Sequence, residues 1–221
     1  MKGLLIKDFR LMKVQKSFFL LIAVIGVWGT LLSENVTSAI GFLTFVMSLF
    51  SVSSISYDEF DNGNAFLFSL PITRTTYGVE KYCFGLILGL GAWTVFTLLA
   101  LVSNGFRRIL PTGELMISAA MILPMFLVIL AVMLPIQLRF GGEKGRIALI
   151  AALGILILLG LAVVKIAKGM GIDLAGLLDA LPIISVGVLL AGVLVAAVLL
   201  LLLSVWISLG TIKRKEFSPV P

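Results

Sequence analysis

The stretch DEFDNGNAFLFSLPITRTTYGVEKY, residues 58–82, interrupts a chain otherwise built of long runs of Leu, Ile, Val, Ala and Gly. It holds four acids (Asp58, Glu59, Asp61, Glu80), two bases (Arg74, Lys81), a proline and several aromatics. Such a segment is too polar to sit in lipid and too apolar for a solvated linker. It must therefore separate two apolar segments at a membrane surface, and this decides how the rest of the chain is read.

Of the 221 residues, 60% are hydrophobic and 13% charged, and the mean hydropathy is +1.19. A soluble domain of this length needs far more polar surface, so the chain reads as an all-α integral membrane protein, a single transmembrane domain over residues 1–221. A spanning helix takes about 20 mostly apolar residues. Six runs meet that need: 17–33, 38–57, 83–103, 115–138, 147–164 and 183–210. Only residues 34–37 join the first two, which makes a tight helical hairpin. The N-terminus does not read as a cleavable signal peptide, because further apolar runs follow and no small-residue cleavage site stands out.

An even number of spans puts both ends of the chain on one side. That side carries Lys2, Lys7, Arg10, Lys13 and Lys16 before the first span, Arg74 and Lys81 in the 58–82 loop, and Arg139, Lys144 and Arg146 after the fourth. The tail, 211–221, adds Lys213, Arg214 and Lys215, whereas the opposite side holds only Arg107, Arg108, Lys165 and Lys168. The positive-inside rule places both termini and the 58–82 loop in the cytoplasm. The net charge of +6 is thus a signal of orientation and not of nucleic-acid binding.

Residues 1–16 have their own pattern. At helical spacing Leu5, Phe9 and Met12 form one stripe, and Lys7, Arg10 and Lys13 lie around the other side. Such a helix suits the plane of the inner interface, with its bases toward anionic headgroups; a plain basic topology signal is the compatible alternative. On the outer side, IDLAGLLDALP within residues 165–182 places Asp173 as the cap of a short helix whose leucines face the outer leaflet.

What the chain lacks narrows its function. No histidine is present, Cys83 is the single cysteine, and no catalytic or metal-ligating constellation can be read. No Asp, Glu, Lys or Arg falls deep within the six runs, which argues against an ion-coupled carrier and an intramembrane hydrolase. GGEKGR at 141–146 does not match a phosphate-cradling loop, so ATP and Mg would have to be bound by another chain. GLILG at 85–89 is a small-residue motif that lets helices approach closely, and Pro124 and Pro135 favour bends within the fourth span.

Residues 58–82 can now be read in detail. Asp61 or Asn62 caps a short helix that runs to about Ser69. Leu70 precedes Pro71, so the chain turns there, and Thr73 caps the next helix, which carries Tyr77 and Lys81 into the membrane. The segment is net negative where every other cytoplasmic piece is positive. Apolar anchors (Phe60, Phe66, Leu67, Leu70) ringed by charge fit a groove on a partner protein. The alternative, an amphipathic loop lying on the bilayer, is disfavoured by its acids near an anionic leaflet.

These residues resemble the inner loop of ABC-type exporter permeases of the type-two class. The resemblance rests on Glu59, Gly63, Leu67, Leu70, Pro71, Arg74 and Lys81, and extends to the order of spans and the basic ends. Asn64–Ala65 departs from it, because a Thr is frequent there. The chain looks most like compact bacterial permeases, including those that export amphipathic peptide toxins such as phenol-soluble modulins. The resemblance implies a bacterial cytoplasmic membrane and two permease subunits, a homodimer or a pair of related chains. Each would sit on a separate ATPase subunit, and 58–82 would dock as the coupling helix. Amphipathic peptides are the leading cargo implied; drugs, antibiotics or lipids are the alternative, and haem-type cargo comes third. An ATP-independent channel or carrier, or a structural subunit of a larger complex, are the readings from other classes.

Overall fold

Pro71 lacks a backbone donor and biases Leu70 away from helix, and this break organises one end of the protein. The computed structural model describes residues 1–32, 36–60, 63–141 and 185–214, with single positions between 144 and 165. Within these the regular elements are all α-helices: α1 (Lys2–Val14), α2 (Lys16–Leu32), α3 (Val36–Glu59), α4 (Gly63–Ser69), α5 (Arg74–Arg107), α6 (Thr112–Phe140) and α7 (Val186–Arg214). The fifth span expected over 147–164, the outer helix with Asp173, Asp61 and the end of the tail lie outside the described residues, apart from the single positions noted.

Four of the described helices, α3, α5, α6 and α7, are long and apolar enough to cross a membrane. α2 has 17 residues, a length of about 26 Å, slightly less than the ~30 Å hydrocarbon core. It joins α1 at a bend of 77°. α3 begins at Val36, inside the stretch expected to be turn, and α5 begins at Arg74, nine residues before the expected span. The 34 residues of α5 make a rod of about 51 Å, well beyond the hydrocarbon thickness. Burial falls to 11% in the most apolar window of α7, so most of its side chains face outward; an apolar surface of that size is untenable in water.

α3 and α5 run antiparallel through the centre, with α2 on one side and α6 and α7 on the other. Small residues allow the close approach. A Cβ on Gly85 would fall 2.7 Å from Ser51 Oγ, and one on Gly89 would fall 2.7 Å from the ring of Phe126. The small-residue motif is therefore used within the chain, between α5 and its neighbours α3 and α6. Gly26 does the same for α2, against Phe96 and Leu43. Several hydroxyls inside the helices are satisfied locally: Thr30, Thr44 and Ser51 donate to carbonyls three or four residues back. α6 stays one helix through both Pro124 and Pro135.

The far end is held by backbone caps. Arg107 donates to the carbonyl of Leu31 at 2.6 Å, so a base expected at the outer surface closes the C-terminus of α2. Asn104 Oδ1 accepts from the backbone of Ile109 and Leu110 and shapes the turn into α6.

Gly89→Leu should destabilise the protein by about 1–3 kcal/mol through overpacking against Phe126. Gly91→Leu, where nothing lies within 4 Å of a new Cβ, should leave stability nearly unchanged. Thermal unfolding in detergent compares the two.

Candidate functional site

One end of the helix bundle is built around α4 and its two stems. Gly63 opens α4 so close to the end of α3 that a Cβ would fall 2.7 Å from the Asp58 carbonyl oxygen. After the Pro71 turn, the Thr73 hydroxyl accepts from the Thr76 amide at 3.2 Å and starts α5. Tyr77 and Lys81, four residues apart, then share one face of α5 and point back toward α3.

Lys81 is wholly buried, and its ammonium has found three acceptors. Its Nζ lies 2.6 Å from Asp8 Oδ2, 2.9 Å from Ser54 Oγ and 2.8 Å from Asp58 Oδ2. Asp8 comes from α1 and is also fully buried, Ser54 and Asp58 come from α3, and Tyr77 donates its hydroxyl to Asp58 Oδ2 at 3.2 Å. Lys7 donates to Asp58 Oδ1 and lies 3.1 Å from Asp8 Oδ1. A single buried cluster thus joins α1 to both stems of the loop. Each ammonium proton has an acceptor, which is the condition under which buried charge is tolerated. The Tyr77 ring packs edge-on against Phe68 of α4 at 5.6 Å, and Leu67 is buried in the same apolar core as Leu4, Tyr77 and Ile212.

A second polar group binds α7 to this assembly. Tyr82 Oη lies 2.6 Å from Ser204 Oγ and 2.8 Å from Ser208 Oγ, and Ser204 donates on to the Ala131 carbonyl of α6. Among the described residues, no three His, Cys, Asp or Glu side chains form a group that could hold a metal ion.

The residues expected to meet a partner divide in two. Phe60 and Phe66 are 73% and 72% exposed, and Leu70 and Pro71 are also exposed. Asp58, Leu67, Tyr77 and Lys81 instead point inward and are engaged by the protein's own fold, so the acidity at 58 is neutralised internally rather than displayed. Glu59 is half-buried with its carboxylate over Gly141, which sits at φ +83° where only glycine is unstrained. Arg74 is half-buried at the start of α5.

The amphipathic reading of α1 needs one correction. Leu5 and Met12 pack against the cluster of Phe50, Phe84 and Leu88, and Phe9 meets the Phe84 ring edge-on at 5.4 Å. Arg10 and Lys13 are exposed, but Lys7 turns inward to Asp58. The face most deeply buried is Leu4 and Asp8. Asp8 is the residue that sequence reasoning passed over. Its signal was there: an acid four residues after Leu4 and three before Leu11, within a helix whose other charges are all basic.

A family model described as ABC-2 family transporter protein matches residues 3–213. The chain belongs to that family. No curated protein and no solved structure matches it. An ABC-2 protein is the membrane permease component of an ABC-type transporter and is generally not itself catalytic; the family implies an ABC ATPase as partner. The match covers α1 to α7, so the buried cluster, the α4 loop and the helices beneath them all lie inside the permease domain.

Lys81→Ala should cost the permease about 3–5 kcal/mol, because the buried Asp8 and Asp58 lose the cation between them and are left with Lys7 alone. Removing charge from both partners, as in Asp8→Leu with Lys81→Met, should recover much of that loss, since Asp58 keeps Lys7. A double-mutant cycle in thermal or denaturant unfolding reads the coupling, and strict additivity of the two single losses would contradict it.

Proposed function

We propose that this permease is the membrane subunit of a bacterial ATP-driven exporter that moves an amphipathic or apolar cargo outward. The carrying observation is the division of residues 58–82: an exposed apolar edge at Phe60, Phe66 and Leu70, mounted on stems held by buried charge. Exposed aromatics on a short helix at the end of two long helices fit a groove on a soluble partner. In this reading α4 is the coupling helix, each of two ATPase subunits holds ATP and Mg, and a second permease, identical or related, completes the pathway. Both termini are cytoplasmic, in the bacterial cytoplasmic membrane, and α1 lies along the inner surface; its 77° bend from α2 supports that placement.

The cluster gives the coupling a physical route. A push on α4 reaches α3 through Asp58, α5 through Lys81 and Tyr77, and α1 through Asp8 and Lys7, which are joined in turn by hydrogen bonds and ion pairs. Amphipathic peptides are our leading cargo, because no described charged side chain lies at the middle of α2, α3, α5, α6 or α7 and the inner ends combine aromatic and basic groups. Lipophilic drugs, antibiotics or lipids are the alternative within the family.

Phe66→Asp should abolish copurification of the cognate ATPase and cargo-stimulated ATP hydrolysis by at least tenfold, while thermal unfolding of the permease stays close to wild type, since the side chain is exposed. Transport of a panel of amphipathic peptides and lipophilic drugs into inverted vesicles assigns the cargo. Full transport and ATPase recovery in the Phe66→Asp variant would refute the docking role.

A further inference from the structure

The bend between α1 and α2 leaves a groove. The two helices meet at 77°, and a hollow of about 440 Å³, the size of an ordinary ligand site, is lined by both. Its walls are Phe9 of α1, Phe19 and Ile22 of α2, Met47 of α3 and Phe96 of α5. Lys13, in the last turn of α1, and Lys16, the first residue of α2, complete it.

Lys7 spends its charge on Asp8 and Asp58, but Lys13 and Lys16 are exposed and have no acid or hydrogen-bond partner among the described residues. An ammonium donates and never accepts. The described lining therefore offers positive charge and donors, and no side-chain oxygen. A peptide laid in the groove would leave its own N–H groups unpaired against apolar walls. A fitting occupant is negative at one end and apolar along the rest. The apolar track is long enough for one. Ala23 lines this groove and also a second hollow, which follows α2 past Val24 to Val27. From Lys16 to Val27 the helix rises about 16 Å, against ~15 Å for half the hydrocarbon core.

We propose that the groove between α1 and α2 holds one anionic phospholipid, its phosphate between Lys13 and Lys16 and one acyl chain along α2 over Phe19, Ile22 and Ala23. A net-negative headgroup is preferred to a zwitterionic one, whose own cation would stand beside two ammoniums. The lipid fills the angle of the bend and ties α1 to the membrane surface. It does so on a face of α1 other than the one that carries Asp8, so it adds to the buried cluster and does not compete with it. The proposal rests on the placement of α1 along a membrane surface, and on no property of the cargo or the ATPase.

Native mass spectrometry of the full-length permease, released from micelles that hold phosphatidylglycerol and phosphatidylcholine in equal amounts, reads the occupant directly. One phosphatidylglycerol should be retained per chain, in preference to phosphatidylcholine by roughly tenfold. Lys13→Gln with Lys16→Gln should erase the preference. Lys2→Gln with Arg10→Gln, which removes two exposed charges of the same helix, should keep it. Ala23→Phe, at an exposed position in the groove, should lose the lipid with no change of charge and with thermal unfolding in detergent close to wild type. Equal retention of the two lipids by the wild type, or a preference that survives Lys13→Gln with Lys16→Gln, overturns the proposal. So does retention unchanged in Ala23→Phe, which would mark a loose attraction of headgroups to basic residues. Dimers that Ala23→Phe splits with no lipid lost would assign the groove to a second copy of the chain instead. A fluorophore at the exposed Val14, in protein with Cys83 replaced, reports the placement of α1 separately. Phosphatidylcholine spin-labelled on its headgroup should quench it in nanodiscs. No quenching overturns that placement and the proposal with it, whereas quenching without lipid preference overturns the proposal alone.

Discussion

A lysine ammonium with no access to water must satisfy three donors and one full charge from the protein, and Lys81 imposes that demand on the α4 end of this permease. Asp8, Asp58 and Ser54 meet it from two different helices. The consequences spread outward. α1 cannot leave its place without exposing a buried charge, and the end of α3 cannot part from the start of α5. The loop between them is thereby fixed as a short helix with its apolar edge outside. Buried ion pairs add little net stability compared with an apolar core, but they are strict about geometry, because breaking one is far costlier than never having made it. The cluster is best understood as a device of register.

Lipid provides no hydrophobic drive between helices, so the remaining packing relies on close fit. Gly26, Gly85 and Gly89 bring α2, α3, α5 and α6 together, with Phe96 and Phe126 filling the space that the absent side chains leave. Thr30, Thr44 and Ser51 return their hydrogen bonds to their own helices, and Ser204 and Tyr82 form a small buried group that joins α5, α6 and α7. The polar links thus gather at the α4 end while the opposite end is closed by apolar contacts and by Arg107 and Asn104 at the turns.

Much of this was legible in the sequence, for physical reasons. Helices in lipid declare themselves by length and apolarity, so the apolar runs overlap α2, α3, α5, α6 and α7, of which α3, α5, α6 and α7 are long and apolar enough to span a membrane. The break at Leu70–Pro71 and the cap at Thr73 are dictated by local sterics and hydrogen bonding, so they too could be read. Partnering between distant residues could not. Asp58 reads as displayed acid because nothing nearby in sequence neutralises it; its partners Lys7 and Lys81 are 51 and 23 positions away. Asp8 was overlooked because four lysines and an arginine in residues 1–16 suggest a surface helix, and a single acid among them looks incidental. Helical spacing puts it on the buried face, but only the fold shows what waits there.

The buried cluster makes α1, the loop helix and the adjoining ends of α3 and α5 one rigid body. Electron-spin distance measurement between labels at the exposed positions Arg10 and Ser69, in protein with Cys83 replaced, tests it directly. The distance distribution should be narrow, the same with and without nucleotide on the bound ATPase, and should broaden when Lys81 becomes alanine. A distance that shifts with nucleotide while Lys81 is intact, or one that Lys81→Ala leaves untouched, would contradict it.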